Sequence, residues 1–338
     1  MPRWPPSTPW WPRGRWRRRG ACAWVSTPTP RRCSGVDVVA VGVSVPWGLW
    51  SLPPDEQRRL LGRIADAGID HVSTADHVSF RDGSGMDGLV TLAAVGGLEP
   101  RLDLQLGVYL LALRHPMVAA RQIATLAEAA PGRLTVGVGV GGDDRHEVEV
   151  CDVDPATRGR RTDVALEMVR PLLEGRTVDG DGEFFAFRGG RIQPVPDPPV
   201  PLVVGGRSDA ALERAGRLGD GWLAAWCSPR RFGEAVERVE AAGAGRDVGW
   251  RHGLQLWLGV GESPVEGRSH VAETMERFYR MSFEPFERYT PCGRAADIAE
   301  FLQPYVDTGA TTLNLTPCGP DRATEIETVA EVKRMLNP

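Results

Sequence analysis

Lysine is almost missing from this chain. Of its 40 basic residues, all but Lys333 are arginine. A phosphate loop of the G-x-x-x-x-G-K type is therefore excluded, because no glycine-rich turn is followed by lysine. A dinucleotide fingerprint is missing too, since no G-x-G-x-x-G opens a helix after a strand. Cysteine is sparse: Cys22, Cys33, Cys151, Cys227, Cys292 and Cys318 are scattered, without C-x-x-C or metal-ligand spacing. That speaks against a disulfide framework or a zinc site and fits a reducing cytoplasm. No apolar run approaches the length that spans a bilayer. Net positive charge is also lacking; the formal charge is −4, which gives no reason to expect nucleic acid or a membrane as partner.

What is present is the make-up of an ordinary globular protein, with 42% hydrophobic and 25% charged residues in 338. The first 35 residues stand apart. They hold eight arginines, no acid and five of the eleven tryptophans, and without those arginines the charge of −4 becomes −12. An export signal around Arg17–Arg19 has too short an apolar run behind it, Ala21–Val25. A basic arm is compatible with the clustered Trp and Arg. The preferred reading is a disordered or mis-assigned extension over 1–35, with the folded domain at 36–338.

The organising stretch runs from Leu104 to Gly142. Leu104–Leu111 is an apolar run of strand length, as expected for a strand buried on both faces. Pro116 opens a helix, where its missing N–H costs nothing, and Pro131-Gly132 ends it. Arg133–Val140 reads as a second buried strand, so the pair is parallel with a right-handed crossover. Further strands are expected at 36–45, 69–74, 201–204, 220–226, 252–260 and 311–316. Helices are expected between them at 55–67, 86–98, 158–174, 209–218, 229–242 and 293–306, and at the end over 321–336. This alternation predicts an α/β fold, a single (β/α)8 TIM barrel with insertions. The insertions are a hairpin within 177–193 and a helical segment at 262–289, whose aromatics could face substrate or a partner subunit.

Candidate chemistry gathers at strand ends. Asp76 and His77 follow the second strand, on the face where barrel active sites form, and histidine titrates near neutrality. The run Gly137–Gly142, including Gly139 and Gly141, lets backbone approach a flat or phosphorylated ligand. Gly205, Gly206, Arg207 and Ser208 follow a short strand; Ser208 suits an N-cap, and amides at a helix N-terminus attract an anion. Arg161 is a weaker anion candidate. His71 and His252 read as packing.

The motifs LRHP, A-x-Q-x-A-T-L, P-G-R-L-x-x-G-V-G-V-G, ADH at Ala75–His77, RGRRTD at Arg158–Asp163, VVGGRS at Val203–Ser208 and LGDGW at Leu218–Trp222 together resemble the luciferase-like monooxygenase superfamily, especially its coenzyme F420 branch. The resemblance covers about Val38 to Leu336. It implies hydride transfer with F420 on a small organic substrate, without metal, in a cytoplasmic homodimer. Asp76 and His77 would handle protons at the ring, and the loop at 205–208 would hold the phosphate. Leu110 and Leu111 would back the ring, with a non-prolyl cis peptide at Leu110-Leu111 or Leu111-Ala112. Alternatives are an FMN-dependent monooxygenase using oxygen and a non-catalytic flavin-binding barrel. Some relatives carry a carboxylic acid directly after the glycines, where this chain has Gly142 and then Asp143 and Asp144. That departure speaks against a sugar-phosphate dehydrogenase.

Overall fold

Eight parallel strands close on themselves in chain order. They are β1 (Ala40–Ser44), β2 (His71–Thr74), β3 (Asp103–Leu110), β4 (Leu134–Gly139), β5 (Leu202–Gly205), β6 (Gly221–Ala225), β7 (Gly253–Val260) and β8 (Thr312–Cys318). Each pairs with its sequence neighbour, and β8 pairs back to β1. The computed structural model describes residues 38–142 and 144–338; the expectations for 1–35, for the start of the first strand at Val36 and for Asp143 lie outside them. Eight helices follow the strands: α1 (Pro54–Asp66), α2 (Gly88–Leu98), α3 (Pro116–Ala129), α4 (Arg158–Leu173), α5 (Asp209–Leu218), α6 (Pro229–Ala242), α7 (Ala295–Asp307) and α8 (Arg322–Leu336). The expected (β/α)8 barrel is the fold.

Two-residue alternation explains how the strands serve two environments. Val41, Leu104, Val136, Leu202, Leu254 and Leu313 belong to the core between strands and helices. The alternate positions turn to the barrel interior, where small and polar residues such as Gly42, Ser73, Gln105 and Asn314 stand with a few apolar ones, Leu223 among them. Register places Gly42 between His71 and Asn314, and Ser73 beside Gln105. A Cβ on Gly42 would come within 2.2 Å of the His71 ring, so glycine there makes room for the buried hydrogen bond between His71 Nε2 and Asn314 Oδ1, 2.7 Å. Helix starts obey local chemistry. Asp87 caps α2 by accepting from Val90 N, and Ser208, Ser228 and Asp321 do the same for α5, α6 and α8. Because Asp87 is a cap, α2 begins at Gly88 and not at the expected Met86.

The expected hairpin pairs Val178–Asp181 with Ala186–Gly190. The insertion after β7 holds a helix, Pro264–Tyr279, and a short one, Glu284–Glu287. Its aromatics pack on the upper ends of the barrel strands, among them Trp226 and Trp257. Among the described residues no helix is long and apolar enough to cross a membrane.

Candidate active site

Asp76 leaves β2 fully buried, and its two oxygens are completely engaged. Oδ1 accepts from Gly88 N at 2.9 Å and Oδ2 from Leu110 N at 2.9 Å. Arg114 closes on the same carboxylate through two nitrogens, at 2.7 and 2.9 Å. Burial pushes the Asp76 carboxyl up, and Arg114 and the two amides pull the other way. One side chain thus ties together the end of β2, the start of α2 and the end of β3. This carboxylate braces the site; it has no oxygen left for a proton transfer.

His77 is different: its ring is only partly buried. Nδ1 lies 3.2 Å from Oε2 of Glu147. A carboxylate can only accept, so Nδ1 donates to it and Nε2 is the ring nitrogen left for another partner. Glu147 is itself buried and accepts from the amides of Val78 at 2.8 Å and Ser79 at 3.2 Å. It sits on a short helix, Arg145–Glu149, capped by Asp144, which also accepts from Arg81 N. Phe80 covers one face of the imidazole, centroids 4.5 Å apart.

Beside this pair, β3 is interrupted. Its pairing with β4 skips from Leu106 to Tyr109, and the peptide Gly107-Val108 is cis. The cis bond is therefore not at Leu110-Leu111 or Leu111-Ala112. Gly107 gives the bulge room: a Cβ there would come within 2.3 Å of Gln255 Oε1, and the glutamine side chain would have to move. Leu110 and Leu111 are buried, their strand end held by Asp76. The partly exposed side chain of the bulge is Val108. It rests on three glycines: a Cβ on Gly139 would meet Val108 Cγ2 at 2.3 Å, and one on Gly137 or Gly205 would meet Cγ1 at 3.2 or 2.8 Å. Gly139 above all makes room for this valine.

Across the barrel from β2 stand β5 and β6. Arg207 and Ser208, which end the Gly205–Ser208 loop, and the start of α6 border one cavity of about 390 Å³. Arg207 and Arg231 stand on its wall with Trp222 and Trp226. Ser208 and Ser228 cap the two helices that point their N-termini at it. Gly206, with φ 127°, is locked by Trp222 Nε1 donating to its carbonyl at 2.7 Å. Cys227 also lines the cavity, but burial pushes its thiol up to about 11, so it stays uncharged. Two helix N-termini and two arginines give this cavity a positive potential, with Asp209 3.9 Å from Arg231.

A profile of the luciferase-like monooxygenase family matches residues 37–313. The chain belongs to that family. It is 36% identical over 162 residues to an uncharacterized protein of Mycobacterium tuberculosis, a match covering 48% of this chain and 56% of that protein. The match spans only about half the length of that relative. Over a longer span it is 27% identical to the F420-dependent glucose-6-phosphate dehydrogenase of Kineococcus radiotolerans, covering 82% of this chain and 94% of that enzyme. Among solved structures, an F420-dependent secondary alcohol dehydrogenase in complex with an F420-acetone adduct superposes with a TM-score of 0.76 at 18% identity, over 88% of this chain and 99% of that one. The last likeness is one of fold.

Within this luciferase-like barrel the expected site residues divide. His77, Gly205, Gly206, Arg207 and Ser208 lie at the mouth, at strands across from one another. Gly141, two residues past β4, takes a φ of 90°. Asp76, Leu110, Leu111 and Gly139 lie beneath, as supports. Arg161 is held against the barrel wall. Its Nε donates to Ala112 O at 2.7 Å and its guanidinium covers Phe185 at 4.6 Å. Phe185 is in the core, so the hairpin covers the barrel flank. Glu147, Val108 and Arg231 join the site without having stood out in the sequence. The S-P-R-R stretch that opens α6 was a readable signal for Arg231, parallel to G-G-R-S at α5.

Proposed function

We propose that the protein is an oxidoreductase that uses coenzyme F420 to move a hydride to or from a small organic substrate. The observation that carries this is the placement of the two-arginine anion cavity at β5 and β6, across the mouth from the His77–Glu147 pair at β2. The long match to an F420-dependent dehydrogenase supports the choice of coenzyme. The residues suit such a group. Backbone amides at Gly206–Ser208, with Arg207 and Arg231, would hold its phosphate, and Val108 would back its ring. When bound, the coenzyme supplies the hydride chemistry. The chain supplies the rest: Nε2 of His77 holds or gives a proton at the substrate oxygen, and Glu147 stabilises the imidazolium so formed.

Because Trp222 and Trp226 line the cavity, F420 is expected to quench tryptophan emission, more strongly than FMN. Arg231→Glu should weaken F420 by at least about tenfold, the scale of a lost charged hydrogen bond. F420 affinity unaffected by that substitution would remove this cavity from the site. The reading includes a homodimer, supported by the uncharged, exposed face of α2 formed by Val90, Ala93, Ala94 and Gly97; light scattering checks it.

A further inference from the structure

A second cavity, of about 550 Å³, lies away from the two arginines just described, at the upper ends of β1 and β8. Ser44, Leu60, Ile64 and Ile326 form its floor, between α1 and α8. Its upper wall is aromatic. Trp47 meets Phe278 edge-on at 5.4 Å, and Phe278 stacks on Phe80 at 5.8 Å. Phe80 also lies against the His77 ring, centroids 4.5 Å apart, so the aromatic wall of this cavity ends at the histidine.

The charges on its rim are unevenly matched. Asp82 is taken by Arg280 at 2.5 Å. Asp321 spends its carboxylate on the amides of Ala323 and Thr324. Glu325 accepts from Gly319 N, and burial pushes its carboxyl up. Among the described residues Arg81 and Arg322 have no carboxylate partner: Arg81 lies over Phe80 at 5.1 Å, and Arg322 donates to Trp47 O.

We propose that this cavity is the substrate site and that it takes an apolar, ring-bearing molecule carrying an anionic group. The body lies between the aromatic wall and the aliphatic floor, and the anion meets Arg81 and Arg322. The volume is that of pockets holding small organic ligands. A sugar phosphate, with hydroxyls on every side, finds too few polar partners on such walls. The role as substrate site rests on the oxidoreductase reading; the ligand class does not.

Calorimetric titration of the full chain with 2-naphthoate tests it, with 2-naphthylmethanol and glucose 6-phosphate as comparators. Naphthoate is expected to bind about tenfold more tightly than the neutral alcohol, and glucose 6-phosphate not at all. Trp47→Ala should weaken naphthoate by about tenfold, as loss of an aromatic anchor does. Ser84→Trp, which fills the cavity from an exposed loop, should abolish it, and F420 titrations of both variants should match the parent. Naphthoate binding untouched by both substitutions, displaced by F420, or replaced by glucose 6-phosphate would overturn the proposal. Naphthoate bound as expected by a protein that ignores F420 would support the ligand class and remove the coenzyme reading instead.

Discussion

A histidine with Nδ1 tied to a buried carboxylate has one ring nitrogen left for chemistry, and His77 is in that state. Glu147→Gln keeps the shape and can still accept from Val78 and Ser79, but it cannot balance an imidazolium. The expected result is a fall in kcat of about 10- to 100-fold, with the KM for F420 little changed. An unaltered kcat would reduce Glu147 to a loop anchor. At this scale the sequence was half legible. The Asp-His pair could be found because its residues are adjacent, yet its roles could not be assigned. Only the fold shows that Asp76 is saturated by Arg114 and two amides while His77 keeps Nε2 unengaged. Glu147 was invisible for a plain reason: it lies 70 residues from its partner, and no spacing rule connects them.

The same division holds for single elements. Strand β3 was readable as an apolar run, but such a run does not show where a ladder breaks. Gly107 was the available mark, since a glycine inside a strand often signals a bulge. The glycines of β4 and β5 were read as space for a ligand, whereas the structure gives several of them to Val108. Gly139→Ala should therefore destabilise the fold by about 1–3 kcal/mol through overpacking. Adding Val108→Ala should recover part of that loss. If thermal unfolding shows the two changes to be simply additive, the valine is not what the glycine accommodates. The caps were easier: Ser208 and the prolines opening α1, α3 and α6 act through neighbouring backbone, so sequence alone carries them.

For the molecule as a whole, alternation of strand and helix was enough to identify the barrel. What could not be read was its interior, where polar residues from distant strands meet. His71 illustrates the energetic consequence. Burial lowers its pKa from 6.5, against the hydrogen bond that its Nε2–H donates to Asn314 Oδ1. The unfolded chain therefore takes up a proton that the folded chain refuses, and stability is full above the unfolded pKa and lost as pH falls below it. Melting temperature should drop between about pH 7 and pH 5, and the slope should flatten in His71→Gln. His252, also lowered by burial, leaves a residual slope. Equal slopes in parent and variant would acquit His71.

Strands β1 and β8, which border the larger cavity, stand apart around the cylinder from the two arginines. With substrate and coenzyme placed as proposed, selectivity can be rewritten without loosening the coenzyme. A designer could transplant the loops after β1 and β2, together with the helical cover behind β7, onto a related scaffold and leave the glycine–serine clasp as it is. Natural drift has the same freedom, so closely similar chains can accept quite different molecules while keeping one shared redox partner.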